Sequence, residues 1–150
     1  MESVQSFPSD DLIVVTGGAG FIGSNIVLEL AKAGRPYDHD KIDRHLRNLP
    51  QYLQDRQLFG VQQLMHLHDY PDPRYVGQFY AQSVSIVDFL CREKDTQTFT
   101  HFLRDGLRYG YESALQKYYG FRDFTEAERR WREFAFREVA TVAGSGPQGR

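Results

Sequence analysis

The residue pattern with the clearest chemical purpose lies near the N-terminus, where a glycine-rich loop follows a short apolar run. Leu12–Thr16 is apolar and β-branched, which is typical of a buried parallel strand, and residues 16–23 have the sequence TGGAGFIG. In this spacing Gly17 permits a tight turn, Gly20 lets a phosphate approach the backbone, and Gly23 lets the next helix pack closely. Free N–H groups at the start of that helix would face the anion. The pattern predicts a loop that cradles a pyrophosphate.

Residues 11–35, with the sequence DLIVVTGGAGFIGSNIVLELAKAGR, resemble the opening strand-loop-helix of extended short-chain dehydrogenase/reductases. The nucleotide-sugar epimerases and dehydratases, the NAD-dependent epimerase/dehydratase family, are the most similar members. The resemblance implies that five residues would contact the pyrophosphate of NAD(P): Gly17, Gly20, Phe21, Ile22 and Gly23. It also implies a second strand ending in an acid for the ribose hydroxyls, and a catalytic Tyr-x-x-x-Lys after several more strands.

The chain departs from this family directly after the loop. Asp40 and Asp43 lie about 20 residues on, where the ribose acid belongs, but no apolar strand delivers them. Tyr37 and Lys41 match the Tyr-x-x-x-Lys letters about a hundred residues too early, so we interpret that match as chance. A strand without neighbours leaves backbone groups unpaired. We interpret the loop as vestigial; the alternative is residual phosphate or NAD(P) binding.

Histidine and cysteine give no second catalytic pattern. His66 and His68 are two residues apart and would face different directions on a helix, so we interpret them as surface histidines beside a turn. Cys91 is the single cysteine and lies in an apolar stretch, which indicates a core thiol. The sequence therefore predicts no metal ligand and no catalytic residue. Any activity would be of the NAD(P)-dependent epimerase/dehydratase kind.

Residues 41–138 hold most of the mass and have helical spacing of apolar residues. Segments 64–71, 79–90, 102–107 and 127–131 have the sequences LMHLHDYP, FYAQSVSIVDFL, FLRDGL and AERRW. They are similar to the C-terminal helical part of peptidase-MA-like proteins, a gluzincin metallopeptidase-like family. That family's zinc motif, H-E-x-x-H, does not occur in the chain. The resemblance implies a gluzincin remnant whose catalytic half has been replaced, so a zinc peptidase is not expected.

Turn and cap residues divide this segment into helices. A polar helix over 41–49, interrupted by Pro50, and one or two short helices up to residue 67 are expected. Asp72 as N-cap and Pro73 after it introduce the strongest helix, 75–93. Three polar residues of that helix are expected to be buried and hydrogen-bonded: Tyr80, Gln82 and Ser83.

Three more helices are expected in the second half of the segment. The first begins at Asp95 or Thr96 and ends near Gly106 and Gly110. Its inward face is predicted to be Phe99, Phe102, Leu103 and Leu107. Glu112–Tyr119 follows and stops at Gly120. A capping box over 125–128 opens the last helix, whose inward residues are expected to be Trp131, Phe134 and Ala135.

Composition narrows the function classes. The chain has 150 residues, of which 41% are apolar and 25% charged, and a net charge of −2, so nucleic acid is not an expected partner. The apolar runs are too short to span a membrane. The absence of a basic leader predicts a cytoplasmic protein. No cofactor is expected unless the loop binds NAD(P) weakly. The expected partners are another protein or a second copy of the chain (self-association), because apolar surface would remain exposed.

These observations predict a mainly α protein, a helical bundle-like domain with one N-terminal strand-loop-helix of Rossmann type. We expect a flexible leader at 1–10, a partial Rossmann unit at 11–36, a helical domain at 37–140 and a disordered tail at 141–150. The functional hypothesis is a non-catalytic helical module, a truncated or fused relative of a metallopeptidase-like protein. The alternative is an NAD(P)-binding fragment of the nucleotide-sugar epimerase/dehydratase family.

Overall fold

The computed structural model describes residues 46–67 and 71–144. Within these ranges the chain is mainly helical and contains no strand, in agreement with the predicted class. The expected leader and the strand-loop-helix at 11–36 lie outside the described residues. So do the five residues of the predicted pyrophosphate site: Gly17, Gly20, Phe21, Ile22 and Gly23.

Six α-helices and one 3-10 turn follow one another in the described ranges. In chain order they are α1 (Leu49–Gln54), α2 (Val61–Met65), the 3-10 turn (Pro73–Tyr75), α3 (Val76–Glu93), α4 (Thr96–Tyr109), α5 (Tyr111–Tyr119) and α6 (Phe124–Gly144).

Pro50 lies in the first turn of α1. It does not end a helix over 41–49, as the sequence analysis expected. The chain turns at residues 47 and 48, and α1 begins at Leu49. The expected helix boundary at Pro50 is therefore wrong. The first N–H groups of a helix have no partner within the helix. A proline, which has no N–H, therefore fits in the first turn without losing a hydrogen bond.

The entry to α3 follows the sequence prediction. The Asp72 carboxylate accepts a hydrogen bond from the backbone N–H of Arg74 at 3.0 Å, and Pro73 is the first residue of the 3-10 turn. This turn leads directly into α3 at Val76. α3 is buried over residues 81–87 on every side, which makes it the central helix of the core.

α4 and α5 form a helical hairpin that turns at Gly110. Asp95 is the N-cap of α4, with its carboxylate 2.6 Å from the N–H of Thr98. Gly110 has φ +99°, a conformation that residues with a side chain rarely adopt. Gly106 does not end α4 as expected; it is buried inside the helix. Leu107, expected to face inward, is 52% exposed.

α6 begins two residues earlier than the predicted capping box. The Asp123 carboxylate accepts from the N–H of Glu126 at 2.8 Å, and the Glu126 carboxylate accepts from the N–H of Arg122 at the same distance. This reciprocal pair replaces the expected box at 125–128, because a capping acid is needed directly before the first helical residue, Phe124. The helix continues to Gly144, beyond the expected domain end at 140.

α3 and α6 run in the same direction through the core. Ser85 contacts Trp131, Phe89 packs on Phe134 at a ring distance of 5.4 Å, and Arg92 pairs with Glu138 at 3.4 Å. The contacts advance along both helices together. The predicted inward residues of α6, which are Trp131, Phe134 and Ala135, are all buried. Aromatic rings fill the space between this pair and the α4–α5 hairpin, which gives the core its cohesion.

Candidate functional site

The described residues contain several buried or half-buried polar side chains, and these are the groups from which a site could be built. Most polar groups in a protein interior have a hydrogen-bond partner, so a buried group without one is a candidate for binding a ligand.

The indole of Trp131 is fully buried, and its Nε1 donates to the Oγ of Ser85 at 3.0 Å. Ser85 itself is buried on α3. The bond joins the two parallel helices near the middle of the core. Both groups are therefore engaged in holding α3 against α6.

Gln82 connects α3 to the segment between α1 and α2. Its amide oxygen accepts from the backbone N–H of Phe59 at 2.8 Å, and its amide nitrogen donates to the carbonyl of Phe59 at 2.9 Å. The side chain thereby imitates the pairing that a neighbouring strand would supply. The expectation that Gln82 is buried and hydrogen-bonded is confirmed.

The other two polar residues of α3 differ from that expectation. Ser83 is buried, but its Oγ has no hydrogen-bond partner in the described part of the chain. Tyr80 is only half-buried, with its ring edge on Phe79 at a centroid distance of 5.4 Å.

Glu128 of α6 caps a helix that is distant in the sequence. Its carboxylate accepts from the backbone N–H of Val61, the first residue of α2, at 3.1 Å, and from the guanidinium of Arg132 at 2.7 Å. The N-cap position of α2 is Gly60, which has no side chain to do this. An acid at a helix N-terminus satisfies a free N–H and interacts favourably with the helix dipole.

Asp105 is a carboxylate that accepts hydrogen bonds from three side chains. It is buried on α4, yet its carboxylate accepts from the Tyr118 hydroxyl at 2.5 Å, the Lys117 ammonium at 2.9 Å and the Arg104 guanidinium at 3.1 Å. These hydrogen bonds, that from Tyr118 above all, hold the pKa of Asp105 well below its usual range. The carboxylate is thus a fixed anion that ties α4 to α5.

Replacement of Asp105 by asparagine is expected to remove a pH-dependent part of the stability. Because the folded-state pKa is lowered, the contribution is complete above the unfolded value near 4 and is lost as pH falls through the acid range. The variant should melt about 5 °C below the wild type at pH 7. The difference in melting temperature between the variant and the wild type, measured by circular dichroism, should become smaller as the pH is lowered toward 3.

Asp55→Asn is the matched control for that experiment, since Asp55 is exposed and its carboxylate accepts a hydrogen bond from the Gln51 amide at 2.8 Å. Its melting temperature should stay within about 1 °C of the wild type at both pH values. A gap for Asp105→Asn that stays constant from pH 7 to pH 3 would contradict the assignment of Asp105 as an ionised anchor.

The single cysteine, Cys91, and the histidine His66 do not have the surroundings of reactive groups. Burial raises the pKa of Cys91 to about 12, so its sulfur stays a neutral thiol at pH 7. His66 is exposed, its Nδ1 lies 2.7 Å from the carbonyl of Gln62, and its ring contacts Phe124 at 5.5 Å. The interpretation of His66 as a surface residue is confirmed, whereas His68 lies outside the described residues.

The described residues also lack a metal cluster and a membrane-spanning helix. No group of three or more histidine, cysteine, aspartate or glutamate side chains is arranged there to hold a metal ion. None of the described helices is long and apolar enough to cross a lipid bilayer.

Sequence reasoning missed Asp105 and Glu128 as anchors. A signal for Asp105 was present: it lies on the same helical face as Phe102 and next to Gly106, so a charge falls within the apolar stripe of α4. No comparable signal existed for Glu128, because its partner Val61 is 67 positions away in the chain.

Comparison of the chain with protein-family models, curated proteins and solved structures found no match. Functional inference therefore depends on the residues and on their geometry.

Proposed function

We propose that the helical part of this chain is a non-catalytic module that acts through contacts with protein, a truncated or fused relative of a metallopeptidase-like protein. The observation that carries the proposal is that polar side chains in its interior form hydrogen bonds between helices and segments of the module. The interior groups of Gln82, Ser85 and Asp105 each join one helix to another segment. Their hydrogen bonds serve the packing of the module, and the same is true of Glu128, which caps α2.

The sequence resemblance supports the same reading. The segments that resemble peptidase-MA-like proteins are helix-packing patterns, and the H-E-x-x-H zinc motif is absent from the full chain. A module that keeps the packing residues of such a family without its zinc ligands would retain the fold and its contact surfaces.

Metal analysis and ligand titration of the purified full chain test this proposal. After dialysis against trace zinc, plasma emission spectroscopy should find well under 0.1 zinc per chain, and the melting temperature should be unchanged by a chelator. One tightly held zinc per chain, or a chelator-induced loss of several degrees, would favour a metal centre and contradict the proposal.

A second candidate function is weak NAD(P) binding by the glycine loop, and the observation that favours it is the spacing of Gly17, Gly20 and Gly23 before a predicted helix. Under the leading proposal, calorimetric titration with NADH should show no saturation below about 100 μM, which corresponds to about −5.5 kcal/mol. Saturation below that concentration would establish the second candidate in place of a vestigial loop.

Gly20→Val serves as the control for that titration. A branched side chain at Gly20 would obstruct the approach of a phosphate to the backbone. If the loop binds NADH, this variant should lose the binding while the helical circular dichroism signal is preserved. Binding that is unchanged in the variant would place the ligand elsewhere on the chain.

A further inference from the structure

The solvent side of α6 carries an exposed aromatic ring among charged and small residues. At 3.6 residues per turn, one face opposite the core is formed by residues that are all exposed: Arg129, Glu133, Phe136, Arg137, Ala140 and Ala143. We call this set the outward face of α6. The core face, which includes Trp131 and Phe134, lies on the other side of the same helix.

Phe136 is the feature that sets this face apart. Its side chain is 52% exposed, whereas Phe134, two positions earlier, is 8% exposed. Ala140 and Ala143 follow it on the same face, one and two turns along. A large ring beside small residues allows another helix to approach closely and to cover the ring.

The charges around Phe136 alternate along the helix. Glu133 pairs with Arg129 at 2.8 Å, and the Nε of Arg137 donates to the backbone carbonyl of Glu133 at 3.3 Å. In the described part of the chain the Arg137 guanidinium has no carboxylate partner. An acid one turn before the ring and a cation just after it form a self-complementary arrangement.

We propose that the outward face of α6 binds the same face of a second copy of this chain, with the two helices antiparallel across a twofold axis beside Phe136. A twofold axis places the same patch of both copies in contact. The midpoint between positions 133 and 137 is position 135, one residue from Phe136. With the axis there, Glu133 faces Arg137 of the second copy, and the reciprocal pair forms on the other side.

This arrangement brings the two Phe136 rings within one helical turn of each other at the centre. The two ion pairs lie beside them, and the small residue Ala140 lies farther along the helix, at the edge of the contact. In many interfaces, aromatic rings at the centre contribute most of the binding free energy, and polar residues surround them. The inference rests on the proposal that the module acts through protein contacts, and it names the partner.

One helix pair buries less surface than a standard stable interface, so the dimer should be weak. We expect a dissociation constant on the order of 100 μM. Sedimentation velocity of the full chain between 10 and 500 μM is the appropriate measurement, and the mean mass should rise from monomer toward dimer across roughly that range.

Charge reversal tests the register of the two helices. Glu133→Arg and Arg137→Glu should each weaken dimerisation by at least about tenfold, because each creates two like-charge contacts across the axis. The double variant E133R/R137E restores opposite charges and should recover the wild-type dissociation constant within about threefold. Circular dichroism should show that all three variants keep their helical content.

Replacement of the aromatic ring tests the centre of the interface. Phe136→Ser should weaken dimerisation by at least about tenfold. Tyr109→Ser is the matched control, because Tyr109 is an exposed aromatic, 72% exposed, at the end of α4. That control should dimerise like the wild type.

Three outcomes would overturn the inference: a monomer throughout the concentration range, self-association that Phe136→Ser leaves unchanged, or a double variant no better than the single ones. None of these bears on the zinc and NADH measurements, which test the proposed function separately. If the chain is monomeric and holds no zinc, the proposed dimer is rejected, while the proposal of a non-catalytic module is not contradicted.

Discussion

Trp131→Ala is expected to lower the free energy of unfolding by about 3–5 kcal/mol, the largest effect of any single substitution considered for this chain. The side chain is fully buried between α3 and α6, so its removal leaves a cavity that the parallel helices cannot close. It also leaves the Ser85 hydroxyl without the indole N–H at 3.0 Å. Urea unfolding followed by circular dichroism measures the loss, since Trp131 is the single tryptophan and its fluorescence disappears with it.

Two smaller substitutions separate packing from hydrogen bonding at this position. Ser85→Ala removes only the partner of the indole and should cost about 1 kcal/mol. Trp131→Phe keeps a ring in the core and should cost an intermediate amount, about 1–3 kcal/mol. A loss below 1 kcal/mol for Trp131→Ala would contradict the placement of this residue at the centre of the α3–α6 contact.

Gly106→Ala is expected to have the second large effect on the free energy of unfolding. It should destabilise the protein, whereas glycine to alanine within a helix normally stabilises it. Within a helix, alanine is about 1 kcal/mol more favourable than glycine. Here a Cβ on Gly106 would overlap the ring of Tyr111, which is buried at the start of α5. The overlap should outweigh the helix preference and lower the free energy of unfolding by about 2–3 kcal/mol.

The Tyr111→Ala background provides the control for this prediction. Once the ring is absent, Gly106→Ala meets no obstacle, and only the helix preference remains. The same substitution should then raise the free energy of unfolding by about 1 kcal/mol. A double-mutant cycle from denaturant unfolding measures the difference. An equal effect of Gly106→Ala in both backgrounds would show that the ring does not lie against α4.

The substitution of Gly106 illustrates a general property of the α4–α5 hairpin. The two helices approach each other closely because one carries a glycine where the other carries a tyrosine. Asp105, the neighbouring residue, then reaches Lys117 and Tyr118 at hydrogen-bond distance. The close approach and the buried anchor thus depend on each other, and the acid sensitivity expected of Asp105 is a consequence of that geometry.

The positions of the helices were the part of the fold that the sequence predicted best. Asp72, Asp95 and Gly120 mark boundaries that the structure reproduces within one residue, and the apolar spacing of α3 located the central helix. Caps and helical periodicity are set by residues within four positions of each other, so they are visible in a local reading of the chain. The inward placement of Trp131 followed from the same periodicity.

At several positions only the tertiary structure decided whether a residue lies in the core or faces solvent. Leu107 is exposed although it continues the apolar stripe of α4. Asp105 is buried because α5 supplies two donors, Lys117 and Tyr118, and Arg104 of α4 supplies a third. Glu128 finds its role at Val61, which no local pattern connects to it. These outcomes depend on how distant segments pack, and packing partners are not encoded in the spacing of neighbouring residues.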